Sequence, residues 1–101
     1  MAENTSLKAD NADIQITAEI MKAMGHSDRL AIIKLLCTNH PEGLSVKVIY
    51  EKLKLQQPVV SRHLNILKHA GVVRRLQTGQ KVVYCLCTDK TNIGKMVRCF
   101  C

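Results

Sequence analysis

The hydrophobic period of this chain changes at Gly71, and that change constrains the fold more than any other feature. In Gln56 to Gly71 (QQPVVSRHLNILKHAG), Val60, Leu64 and Leu67 recur at the spacing of one helical stripe. Beyond Gly71 the apolar residues alternate: Val72 to Gln77, a Thr78-Gly79-Gln80 turn, then Lys81 to Cys87, rich in Val, Tyr and Leu. The pattern predicts an amphipathic helix capped at Gln56, followed by a β-hairpin with a three-residue loop. Pro58 suits a first helical turn, where its missing N–H has no partner to lose, and Gly71 suits a left-handed C-terminal cap.

The polar side of that helix carries Gln57, Ser61, Asn65, Lys68 and His69, with Arg62 facing outward. Arg and Gln can pair with guanine and adenine edges in a major groove. No acid occurs from Lys52 to Thr88. The hairpin adds Arg74, Arg75 and Lys81 at its flanks and tip, where they can touch phosphates. His63 lies beside Val59 and Ala70 at the margin of the apolar arc, so it either packs inward on a backbone group or reads a base. Ser61 either bonds back to its own helix or joins the outer face.

Upstream, Ala12 to Met24 places Ile14, Ala18 and Met21 on one stripe and Ile16, Ile20, Ala23 and Met24 on another. That is more apolar surface than one small core needs, and part of it is read as an interface. Gly25 stops this helix and Ser27 is expected to cap the next, with Asp28 in its first turn. Leu30 to Cys37 (LAIIKLLC) is apolar nearly all round except for Lys34, the pattern of a buried central helix in which Cys37 is a small apolar side chain. After a turn at Asn39 to Gly43, Ser45 caps a short helix whose inner stripe is Val46, Ile49, Tyr50 and Leu53. Only Lys54 to Gln56 separate it from the next helix, and that is a helix-turn-helix. A final helix capped at Thr88 or Thr91 would carry Ile93, Met96, Val97 and Phe100.

The expected architecture is mainly α with a β-hairpin wing: a winged helix-turn-helix of about five helices plus a two-stranded wing. Residues 1–11 read as a disordered acidic leader. Residues 12–101 read as the folded domain, with dimerisation helices at 12–24 and 89–101. Of a net charge of +7, residues 1–25 hold two Lys against four acids and the remainder thirteen Lys or Arg against four. A basic body of this kind suits a polyanion. Three aromatics are too few for single-strand stacking platforms, which leaves duplex DNA. No apolar run spans a membrane and the N-terminus is polar rather than signal-like, so the expected location is cytoplasmic. His26, His40, His63 and His69 have no acid or nucleophile spaced to join them, and no phosphate loop is visible, which argues against an enzyme.

Three stretches carry a family likeness: HSDRLAIIKLL at 26–36, LSVKVIYEKLKLQQPVVSRHLNILKHAGVV at 44–73 and RRLQTGQKVVYCL at 74–86. They resemble the ArsR family of bacterial winged-helix repressors over about residues 12–100. The resemblance implies a homodimer that sits on an inverted-repeat operator and leaves it when a metal ion or redox signal arrives. It also implies DNA contacts at Gln56, Gln57, Ser61, Arg62 and His63 on the recognition helix and at Arg75, Gly79, Gln80 and Lys81 on the wing. The family's Cys-x-Cys metal motif has no counterpart in Ser45 to Leu53, and no His follows His69 to complete its zinc site.

Five Cys in no disulfide-framework spacing are expected to be reduced thiols. Cys85 and Cys87 share one face of a strand, and if Tyr84 and Leu86 face the core the two sulfurs face water. Cys99 and Cys101 fall near the expected interface. These four are the candidate thiols for a thiophilic metal or metalloid ion or for a dithiol switch. A competing reading, a winged helix used only for protein interaction, calls for an apolar or acidic face on Gln56 to Gly71.

Overall fold

The computed structural model describes residues 11–87, which form four helices followed by an antiparallel hairpin. Helices α1 (Asn11–Met24), α2 (Ser27–Thr38), α3 (Val46–Leu53) and α4 (Gln57–His69) precede strands β1 (Val73–Thr78) and β2 (Lys81–Leu86). The leader, apart from Asn11 in α1, and the expected helix over 89–101 lie outside the described residues. No helix among the described residues is long and apolar enough to cross a membrane.

One core draws on every element. Ile20, Ala23 and Met24 of α1 meet Ile32, Ile33 and Leu36 of α2, Ile49 of α3, and Val60, Leu64 and Leu67 of α4, with Val72, Val73 and Leu86 closing it from the hairpin side. Each of these Val, Ile, Leu and Met side chains contributes about 1.5–3 kcal/mol through burial. The two stripes of α1 separate except at Ile16, which is expected with the inner stripe but lies near the start of the helix and is 54% exposed. Ile20, Ala23 and Met24 face this core, while Ile14, Ile16 and Met21 remain 48–60% exposed. Helix α2 departs from expectation, because it buries one side rather than its whole circumference and Leu30 is 38% exposed. Among the described residues no further element covers the opposite side.

The helix ends show which local signals act. Ser45 caps α3 as its position predicts, its Oγ accepting from the Val48 amide at 3.3 Å. Helix α2 is capped by His26 instead of Ser27. The extended backbone at His26 brings its Nδ1 to 3.1 Å from the Asp28 amide, and Ser27 is already helical. Lys54, left-handed at φ 57°, ends α3 and turns the chain into α4. Gln56 holds the cap position of α4 without a side-chain cap bond. Gly71, at φ 81°, closes α4 while the Val72 amide reaches back to the Leu67 carbonyl at 2.9 Å.

The hairpin pairs Val73 with Leu86 at its base and Thr78 with Lys81 at its tip. Its loop is therefore two residues, Gly79 and Gln80, not three. Gly79 takes φ 63°, the left-handed conformation that lets so short a loop return the chain. Leu44 joins the hairpin through a pair of backbone bonds with Tyr84, at 2.9 and 2.8 Å. A side chain at Gly43 would bring its Cβ within 2.5 Å of the Tyr84 carbonyl oxygen, so that bridge needs glycine. The wing is thereby tied to the segment that starts the helix-turn-helix.

Candidate nucleic-acid interface

Helix α4 buries Val60, Leu64 and Leu67 and turns its other side outward, so Gln57, Ser61, Arg62, Asn65 and Lys68 are all exposed, as is Gln56 before it. Ser61 thus lies on the outer face. These residues share one rigid element, backed by the core and by α3, and carry no acid among them. On the wing Arg75, Gly79, Gln80 and Lys81 are likewise exposed. Arg75 Nη1 donates to Gln77 Oε1 at 3.4 Å, and Gln77 Nε2 donates to the Gly79 carbonyl at 3.2 Å. This chain of contacts fastens the Arg75 side chain toward the wing tip. Gln77, which sequence reasoning passed over, holds the cation in place.

His63 departs from the DNA-contact reading. It is 7% exposed, and its Nδ1 accepts from Arg29 Nε at 3.2 Å. Arg29 Nη1 also donates to the Ala23 carbonyl at 2.9 Å, so one guanidinium joins the end of α1 and the start of α2 to the middle of α4. His63 Nε2 stands 3.7 Å from Asp28 Oδ2, and the His26 ring lies 4.7 Å from that of His63. Position 63 sits at the edge of the apolar arc, and a nearby guanidinium draws its ring inward. Burial holds the His63 pKa below the ordinary histidine value, helped by the charges of His26, Arg29 and Arg62 and opposed by Asp28. The ring is therefore neutral near pH 7. Arg29 was visible in the sequence only as part of a family word; its bridging role follows from how α1, α2 and α4 meet.

His26, Asp28 and His63 bring one potential ligand atom each within 4.8 Å of the others. The polarity is wrong for a cation. The Asp28 amide and Arg29 Nε can only donate, so the Nδ1 atoms of His26 and His63 both accept. A metal on either Nε2 would require a proton on Nδ1, and both Nδ1 atoms face donors.

The thiols also differ from expectation. Cys85 is 2% exposed rather than facing water, because the Leu44 bridge covers that side of β2 and places Gly43 against the Cys85 Cβ. Leu86 is buried on the other side, and Cys87 is half-buried. Cys37 is half-buried in the last turns of α2 and is disulfide-bonded, which corrects its reading as a reduced, simply apolar side chain. Cys85 and Cys87 both carry no disulfide. Cys99 and Cys101 lie outside the described residues. Among the described residues, an inward Cys85, a half-buried Cys87 and an oxidised Cys37 do not supply the three or four converging ligands of a thiolate metal centre.

Four helices, an outward polar recognition helix and a cationic wing define a winged helix-turn-helix DNA-binding protein. Residues 24–75 match the family model of a helix-turn-helix domain. An uncharacterised HTH-type transcriptional regulator of Methanocaldococcus jannaschii is 44% identical over 75 residues, covering 74% of this chain and 82% of that protein. The transcriptional activator HlyU of Vibrio cholerae is 33% identical over 84 residues, covering 81% of this chain and 75% of that protein. Its structure superposes with a TM-score of 0.75, at 30% identity over 86% of this chain and 89% of that one. The homodimeric winged helix-turn-helix domain of a possible ArsR-family regulator from Mycobacterium bovis shares the fold, with a TM-score of 0.71 at 22% identity over 89% of this chain and 79% of that one. The chain belongs to the helix-turn-helix family of transcriptional regulators, and its fold is the winged helix of ArsR-like regulators.

Proposed function

We propose that this regulator acts as a homodimeric repressor on an inverted-repeat operator, and that thiol oxidation state governs its release. The observation that carries the DNA reading is the exposure of Gln57, Ser61, Arg62, Asn65 and Lys68 along one side of α4, in a segment free of acids from Lys52 to Thr88. Arg62 and Gln57 supply base readout. Lys68, Arg75 and Lys81 supply phosphate contacts and salt-dependent affinity, with Gly79 and Gln80 bringing the wing backbone close to the duplex.

The homodimer is supported by the unburied stripe of α1, where Ile14 and Met21 remain exposed beside Ala18. Two-fold symmetry sets half-site centres about 10 bp apart, or a multiple of that. The thiol signal is supported by the disulfide at Cys37, on a helix whose first turn contacts the recognition helix through Arg29. Exchange at such a bond follows the thiol–disulfide potential of its surroundings.

The test is a titration of the protein onto its own promoter over a range of salt, with and without dithiothreitol, and again with Cys37→Ser. The reading expects a retarded duplex whose affinity falls steeply with salt, a footprint with two-fold symmetry overlapping the promoter, and a redox response that Cys37→Ser removes. Salt-insensitive association, or none, would favour the protein-interaction alternative.

A further inference from the structure

A cavity of about 680 Å³ separates the second half of α1 from the last turns of α4, and Arg29 lines it. Its volume falls in the range of small-molecule sites, roughly 300–1,000 Å³. Ala23, Ile66 and Ala70 give it apolar walls, Lys22 adds a second cation, and Glu19 is its single acid. The decisive group is Arg29. Its bonds to the Ala23 carbonyl and to His63 use two of its five N–H donors, and it makes no ion pair with a carboxylate among the described residues. A half-buried guanidinium held rigidly by two bonds, with donors to spare beside an apolar wall, is suited to a carboxylate that carries an apolar body.

We propose that this cavity binds a small organic anion, its carboxylate on Arg29 and Lys22 and its apolar part against Ile66 and Ala70, and that occupancy is felt at His63. A ligand that draws on the Arg29 guanidinium alters the bond this same group makes to the recognition helix. Coupling requires only that the ligand prefer one arrangement of that bond over another. The input is separate from the thiol signal, and it enters the helix from its inner side.

The test uses the full chain without DNA, so its outcome is independent of the operator reading. Benzoate serves as the probe, followed by amide and imidazole NMR, with benzamide as the neutral isostere and benzylammonium as the cation. Benzoate should give saturable shifts at Ala23, Ile66, Ala70, the Arg29 Nε and the His63 ring, with a dissociation constant of about millimolar order. Benzamide and benzylammonium should bind at least about tenfold more weakly. Because Arg29→Lys can disturb the junction of three helices, the site is probed at its walls: Lys22→Glu and Ala70→Met should each weaken benzoate by about fivefold or more. Equal shifts from all three probes, shifts unaffected by both substitutions, or a His63 ring that does not respond would each overturn the proposal.

Discussion

Arg62 and His63 are neighbours in sequence and face opposite ways. On the outer side of α4, Arg62 joins Gln57, Ser61, Asn65 and Lys68 in an exposed row. On the inner side, His63 is 7% exposed and accepts from Arg29 in a junction that also takes in the Ala23 carbonyl. One row is left available to a partner outside the chain, while the other satisfies its hydrogen bonds within the fold. A polar residue type says what a side chain can bond to. Its angular position decides whether the bond belongs to the protein or to a ligand.

The largest effect that sharpens this contrast is expected at Arg29. Arg29→Ala removes both bonds and leaves a partly buried imidazole nitrogen and a carbonyl without their donor, lowering stability by roughly 2–4 kcal/mol in a urea melt. Arg62→Ala should do the reverse: operator affinity drops by about 1–3 kcal/mol with relaxed preference at one position, and stability stays within about 0.5 kcal/mol. If the two substitutions gave the same pattern in both assays, the division of the helix would be wrong.

A smaller effect concerns pH. Burial depresses the His63 pKa, so the folded state favours the neutral ring and the unfolded chain binds the proton more readily. The stability this contributes is complete above the ordinary histidine value of about 6.5 and is lost as pH falls from there through the depressed value. Melts between about pH 7.5 and 5 should therefore fall more steeply for the native protein than for His63→Asn, whose amide oxygen can still accept from Arg29. The smallest effect is at the wing, where Lys81→Ala should weaken all duplexes about equally and reduce the salt slope by about one.

The same contrast explains what the sequence made legible. A period change at Gly71, a serine at position 45 and a stripe of Val60, Leu64 and Leu67 are local signals, and each led to the element observed. The misjudged features depend on elements that meet only in the fold. Cys85 turns inward because Leu44, about forty residues earlier, pairs with Tyr84. His63 turns inward because Arg29 comes from a different helix. His26 displaces Ser27 as cap because the backbone after Gly25 is extended at position 26, so the ring rather than the hydroxyl meets the free amide. The outer row was legible because exposure follows from one helix alone. The inner junction needed three.

The central claim is that the outward row on α4 reads bases. It is tested most directly by selecting operators from a randomised half-site pool with the native protein and with Arg62→Ala. The account predicts that the variant loses preference at one base position in each half-site and keeps the others, with symmetric spacing unchanged. Identical base preferences for the two proteins would contradict it.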